Sequence, residues 1–308
     1  MVKIYDVLTV FDACVDMVVK LGNVVPEFAQ KEKLVDSVSI EMGGSNCIFA
    51  SQCAKLGLKT TGIGVIGKDS FGMIVKDSLS ANGVDTSFLK VDENINTAIG
   101  ISLDRGHDRA ILTYDESIRA VNPEMVTDEI LGRARHLHIG SYYLLAGIKN
   151  ELIDIMKRAR RYSATISLDT NWDPREEWEL PVELLELVDI FFPNENEIKL
   201  LSGNNDIDAA AAYFLQYVPV VALKLGSDGA KVYSGETVIS AKPLNVEVRD
   251  TIGAGDSFDA GFLYGFLNNL PLELCLKCGL FCGSMNVTQA GGCKGQADVK
   301  MLREYLAL

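Results

Sequence analysis

No stretch of the 308 residues approaches the ~20 consecutive apolar residues of a membrane-spanning helix. Nor is there a basic surplus. Lys and Arg number 29 against 42 Asp and Glu, a formal net charge of −13. That balance argues against nucleic acid or an anionic membrane as partner, since both need basic patches. It still allows an anionic ligand in a locally positive pocket. No repeat with a period of roughly 20–50 residues recurs, which excludes a solenoid. A disulfide framework is missing too: the seven cysteines are odd in number and scattered through a long chain. The opening run MVKIYDVLTVFDACVDMVV places Asp6, Asp12 and Asp16 among its apolar residues. A secretory signal would not carry them, so a cytoplasmic location is expected.

What remains is ordinary globular composition, 48% apolar and 23% charged. Cys275, Cys278 and Cys282 share one helix face, and buried thiols are favoured over a metal site lacking a fourth ligand. His136 and His138 alternate on one strand face without a carboxylate at hand, and are read as structural.

Along the chain the period switches repeatedly between strand and helix. VLTVFDACVDMVV reads as one strand, and GSNCIFASQCAKLG as a helix ending at Gly57. TTGIGVIG, HLHIGSYYLL, ATISLDTN, VDIFFPN and VVALKLG are short apolar runs separated by helical segments. This alternation predicts a parallel sheet covered on both faces. Two segments depart from it. Residues 14–42 and 97–114 read as antiparallel pieces, the second a hairpin turning at Arg105-Gly106-His107-Asp108. They predict a small extra sheet that is a lid, a dimer surface, both, or an edge extension.

The strongest chemical signal is Asp250-Thr251-Ile252-Gly253-Ala254-Gly255-Asp256. NVEVRD before it alternates like a strand, and SFDAGFLYGFLNNL after it has helical spacing. Gly253, Ala254 and Gly255 would let the backbone turn sharply at a helix start. Unpaired N–H groups and a partial positive charge collect there, forming an anion hole suited to a transferring phosphoryl group. Asp256, in the first turn, could accept a proton from an attacking hydroxyl. Its position near a helix N-terminus predicts a low pKa. The competing reading is a carboxylate that merely favours the helix dipole.

This heptapeptide closely resembles the second signature of the PfkB/ribokinase-like carbohydrate kinases. Gly43-Gly44 before a helix ending AKLG resembles the first signature. GVIGKDSFG with NGVDTS, DTNWDPR, PNENE and KLGSDG follow in the family's order. The resemblance implies a three-layer α/β/α fold with a mainly parallel central sheet and a small β lid. It also implies a single domain over residues 1–308, and a homodimer through the lid. The implied reaction is transfer of the ATP γ-phosphoryl group to a primary hydroxymethyl of a sugar or sugar-like compound.

Carried over by residue, Asp256 would be the base and Gly253, Ala254 and Gly255 the anion hole. Asp16 would hold two sugar hydroxyls. Gly43, Gly44 and Asn46 would complete the sugar side. Asn194 and Glu197 would act around the phosphates, Glu197 through the water shell of Mg²⁺. Lys224, Gly226 and Gly229 would line the nucleotide side. Asp250 and Ile252 would border a monovalent-cation site, with K⁺ the candidate. Ile48, Cys14 and Phe11 stand where the family carries Asn, a polar residue and Gly. They predict a less polar sugar side, with a nucleoside or a modified sugar as alternatives. Gly62-Ile63-Gly64-Val65-Ile66-Gly67 also spells a dinucleotide-binding G-x-G-x-x-G. That motif must turn from strand into helix. Here it reads as the strand itself, so an oxidoreductase is the weaker rival.

Overall fold

In the computed structural model, which describes residues 2–106 and 109–307, the apolar runs form two sheets. The strands are β1 (Tyr5–Val10), β2 (Cys14–Lys20), β3 (Ser37–Gly43), β4 (Thr60–Gly67), β5 (Leu89–Asp92), β6 (Ala98–Asp104), β7 (Arg109–Tyr114), β8 (Ala134–Ile139), β9 (Thr165–Leu168), β10 (Ile190–Phe191), β11 (Val220–Lys224), β12 (Ala230–Ser234) and β13 (Thr237–Ala241). The larger sheet has nine strands in the order β13-β12-β11-β10-β9-β8-β1-β4-β5. It is parallel from β11 through β5, and β12 and β13 add an antiparallel edge.

Side-chain alternation buries both faces. Phe191, Val221 and Leu223 join one core, while Ile190, Phe192, Val220 and Ala222 join the other. Helices Leu152–Arg161 and Ile207–Phe214 cover the first face, and Ala254–Leu267 and Leu272–Asn286 the second. These last two helices approach closely because Gly261 is bare. A Cβ there would lie 2.5 Å from the Cys278 carbonyl oxygen and 2.8 Å from Cys282 Sγ. Cys275, Cys278 and Cys282 are therefore buried packing residues of this core. His136 and His138 both bond the Ser167 hydroxyl, at 2.7 Å each, between buried strands.

The smaller sheet has the order β3-β2-β6-β7 and includes the expected hairpin. His107 and Asp108 of its turn lie outside the described residues. One face of this sheet presents Asp16, Glu41, Ser102 and Arg109 to a cleft. The other leaves Val38, Ile40, Leu112 and Tyr114 exposed.

Two expectations are corrected. VLTVFDACVDMVV is not one strand: β1 belongs to the large sheet and β2 to the small one. The chain leaves the first sheet at Asp12, whose carboxylate binds the backbone N–H groups of Ser45 and Asn46. NVEVRD is not a strand either. Leu244 N–H donates to the Ser284 hydroxyl, and the N–H groups of Arg249 and Asp250 donate to the Val287 carbonyl. Its backbone bonds thus go to the end of helix Leu272–Asn286 rather than to a ladder. The Gly62–Gly67 run is β4 itself, with no helix starting inside it. Its glycines make room for Phe11, since a Cβ on Gly62 would lie 2.4 Å from the ring. Among the described residues no helix is long and apolar enough to cross a membrane.

Candidate active site

Polar residues gather where the parallel strands end, the place where open α/β sheets bind ligands. Asp12 follows β1, Ser141 follows β8, Asp169 follows β9, Asn194 follows β10, and Lys224 ends β11. Asp12 accepts from Ser45 N–H and Asn46 N–H at 2.9 Å each, and from the Ser141 hydroxyl at 2.6 Å. It fastens the start of helix Ser45–Lys55. Gly44 enters that helix at φ +87°, and a Cβ there would lie 2.3 Å from the Asp12 carbonyl oxygen. Gly43 serves a different purpose. A Cβ on it would overlap the Asp16 carboxylate.

The 250–256 segment begins with a local brace. Asp250 accepts from Ile252 N–H at 3.0 Å and from Gly291 N–H at 2.9 Å. Gly253 takes φ +75° and starts helix Ala254–Leu267. A Cβ on Gly253 would lie 2.7 Å from the Gly292 carbonyl oxygen and 2.8 Å from Ile48 Cγ2, so the turn is packed tightly from behind. Ala254 N–H donates back to the Thr251 carbonyl at 3.3 Å, while the N–H groups of Gly255 and Asp256, in the first turn, lack intrahelical partners. Asp256 sits in this first turn, and its pKa is raised well above the usual carboxylate value. Burial is the main cause, and Asp169 adds to it, while Lys224 opposes. The low pKa expected from the helix N-terminus is thus overturned, because desolvation beside other carboxylates outweighs the dipole.

Beneath the turn, the Lys224 ammonium lies 2.7 Å from Asp169 and 3.2 Å from Asp259. Asn194 caps helix Glu195–Ser202 in a capping box with Glu197. Glu197 accepts from Asn194 N–H at 2.8 Å, and Asn194 accepts from Glu197 N–H at 3.0 Å. Burial pushes the Glu197 carboxyl up to about 7, with Asp169 adding to the rise. Gly226 and Gly229 shape the turn from β11 into β12, at φ +56° and +97°.

Between the small sheet and the 248–252 and 290–292 segments lies a cleft of 510 Å³. Asp16 projects into it from β2. Burial raises its pKa to about 6; Asp12 adds to this and Arg109 opposes it.

Asp16, Asp250 and Ile252 line this cleft; Gly43 lies against Asp16 and Gly44 against Asp12, and Gly253, Ala254, Gly255 and Asp256 form the helix start that follows Ile252. Lys224, Asn194, Glu197, Gly226 and Gly229 lie on the adjoining strand ends. The structure does not bring in Asn46. That side chain is fully buried, accepting from Thr9 at 2.7 Å and Gly140 N–H at 3.0 Å and donating to the Gly140 carbonyl at 3.0 Å. Its amide joins helix Ser45–Lys55 to the strand ends, so its expected place on the sugar side is corrected. Phe11, Cys14 and Ile48 do not line the cleft either. All three are buried, so the inference of a less polar sugar side from them falls. Asp12, Arg109 and Asp259 were missed. For Asp259 a signal existed, since its spacing of three from Asp256 puts both on one helix face.

A parallel sheet with its polar strand ends beneath a second small sheet defines a ribokinase-fold protein. The ribokinase of Arabidopsis thaliana, solved with ribose and ATP, superposes with a TM-score of 0.86 over 100% of both chains at 23% identity. In sequence, the chain is 31% identical over 247 residues to an uncharacterised sugar kinase of Archaeoglobus fulgidus, covering 79% of this chain and 96% of that one. It is 26% identical to a 5-dehydro-2-deoxygluconokinase of Bacillus licheniformis, covering 99% and 97%. The pfkB family carbohydrate kinase pattern matches residues 8–298, and the chain belongs to that family. It is an ATP-dependent carbohydrate kinase.

Proposed function

We propose that the kinase phosphorylates a primary hydroxymethyl of a sugar or sugar-like acceptor, with Asp256 as base and the Gly253-Ala254-Gly255 turn as anion hole. The observation that carries this reading is Asp256 in the first turn of a helix whose start is stripped of side chains and backed by a lysine. The acceptor oxygen bonds to the γ phosphorus as the bond from that phosphorus to the bridging oxygen breaks, and ADP leaves. The acceptor's proton passes to Asp256. The raised pKa of Asp256 makes it a stronger proton acceptor than an exposed aspartate. Charge on the phosphoryl oxygens meets the first N–H groups of the helix. Asp16, with Gly43 and Gly44, holds acceptor hydroxyls. Asn194, Glu197, Lys224, Gly226 and Gly229 serve the nucleotide.

The residues fit Mg²⁺. Asp169, Glu197 and Asp256 place carboxyl groups around Lys224, hard oxygen atoms that suit the ion's water shell. Among the described residues no three such groups converge as direct ligands. Glu197 would therefore hold the ion through water, and the ion would neutralise phosphate charge. A monovalent cation such as K⁺ fits beside Asp250 and Ile252. There the buried Asn286 Oδ1 has no hydrogen-bond partner, while its Nδ2 donates to the Ile252 carbonyl.

Among acceptors, a sugar acid is favoured. The relative named 5-dehydro-2-deoxygluconokinase supports this choice, and Lys20, Arg109 and Arg249 line the cleft among Asp16, Glu41, Asp104 and Asp250, so a cation is at hand for a carboxylate. Nucleosides are the rival arm. The exposed apolar face of the small sheet suits a second copy of the chain, making a homodimer, and a cytoplasmic enzyme fits an intracellular ATP supply. The test is coupled ADP release with ribose, fructose, other hexoses, aldonates and nucleosides. Acceptor-dependent release with an aldonate supports the reading; no release with any of them overturns it.

A further inference from the structure

Lys224 is bound more heavily than a structural lysine requires. One buried carboxylate would neutralise its ammonium, and Asp169 already does so at 2.7 Å. Asp259 adds a second at 3.2 Å, and it is almost wholly enclosed in helix Ala254–Leu267. That arrangement is costly. Asp259 Oδ1 is buried and meets no N–H or hydroxyl donor among the described residues, and burial, with the Asp169 carboxyl beside it, pushes the Asp259 carboxyl well above the usual carboxylate range. An unmatched buried carboxyl oxygen destabilises a fold, and a native structure keeps one for a reason. The ammonium is also incompletely used. Two of its three N–H groups reach Asp169 and Asp259, and the third has no partner among the described residues. It lies close under the turn, since a Cβ on Gly255 would be 3.6 Å from Lys224 Nζ.

We propose that Asp259 is a positioning residue for phosphoryl transfer, holding with Asp169 the Lys224 ammonium under the 253–256 turn, where charge gathers on the phosphoryl group in flight. This rests on the reading of that turn as the anion hole. Asp259 reaches the reaction only through Lys224. It comes from the same helix as Asp256, one turn on, so the base and the cation's anchor are carried by one rigid element. Asp169 fixes the cation to the sheet. The remaining N–H is left for a phosphoryl oxygen. A preorganised cation acts most strongly in such a desolvated place.

The test compares wild type, Asp259→Asn, Lys224→Met and the double variant. Calorimetry measures binding of MgADP alone and of MgADP with fluoroaluminate, a mimic of the transferring phosphoryl group that needs no knowledge of the natural acceptor. Thermal melting checks the fold of each protein. Asp259→Asn should weaken fluoroaluminate-dependent binding about tenfold or more, with MgADP affinity within about twofold of wild type. Lys224→Met should weaken it at least as much. The double variant should be no worse than Lys224→Met, because both act through one ammonium. Unchanged fluoroaluminate binding in a folded Asp259→Asn, or losses that simply add, would overturn the inference and leave the kinase reading standing. If Asp259→Asn does not fold, Asp259→Glu carries the same comparison, with partial retention expected and full wild-type binding counting against the role. Wild-type protein that binds no nucleotide at all would overturn both.

Discussion

The Asp16 carboxylate occupies the space where a side chain on Gly43 would begin. A Cβ on Gly43 would sit 2.4 Å from Asp16 Oδ1, and one on Gly100 2.9 Å from the same atom. Two strands that flank β2 thus leave a bare slot for one charged group. Gly43→Ala should therefore displace Asp16 and weaken acceptor binding, with ATP binding kept. Asp16→Ala should weaken it by roughly ten- to hundredfold, the loss of charge-assisted hydrogen bonds of about 1.5–3 kcal/mol. Calorimetry with an accepted sugar checks both.

The same residue predicts a pH dependence. Its folded pKa is raised to about 6 from 3.8, burial being the main cause. The stability this brings is complete below the unfolded value and is lost as pH rises through about 6. Asp16→Asn should then stabilise the free protein at pH 8 by an amount on the order of 2 kcal/mol. At pH 4 it should do little. Denaturant melts at both values decide it, and equal shifts at the two would contradict the assignment.

Asp256→Asn keeps size and helix start but cannot take a proton. Turnover should fall by about 10²–10⁴-fold with little change in binding of ATP or acceptor. Burial raises the pKa of Asp256 well above the ordinary carboxylate value. The acidic limb of the wild-type kcat profile should consequently lie above the pH at which an exposed aspartate would titrate. Near-wild-type turnover in the folded variant would make Asp256 a helix-start carboxylate only.

Ile48 packs against the back of the Gly253 turn and against Gly292 rather than lining the cleft. Ile48→Ala should cost about 2–5 kcal/mol of stability, the range for emptying a packed aliphatic site. Turnover should drop as the turn loosens, while the ranking of acceptors stays the same. A changed ranking, read from ADP release across the sugar panel, would return Ile48 to the substrate side.

Leu112 is 60% exposed on the apolar face of the small sheet, beside Tyr114 at 44%. If a second copy covers that face, Leu112→Glu should shift the protein toward monomer in analytical ultracentrifugation. A sedimentation coefficient unchanged by the substitution would remove this face from any interface.

Much of this protein is legible in its residues. Alternating apolar runs and helical periods specify the covered parallel sheet, because a strand buried on both faces is nearly continuously apolar, as the GIGVIG part of β4 is after its two buried threonines. The turn around Gly253, with Asp256 in the first turn of the helix after it, is legible because small residues next to a helix start leave few backbone choices. Local pattern could not assign NVEVRD, since alternation is shared by strands and by extended loops whose hydrogen bonds find partners elsewhere. Nor could it orient Asn46, Phe11 or Ile48. Asn46 and Ile48 follow the Gly43-Gly44 motif in sequence and Phe11 precedes Asp12, yet all three face inward, because the direction of a side chain is set by what the rest of the chain packs against it. The electrostatics were decided at the same level. A helix N-terminus alone would lower the pKa of Asp256, but strands from distant parts of the chain bring Asp169 and Asp12 near it and bury it. Desolvation and charge depend on all neighbours at once, and only the tertiary structure supplies them.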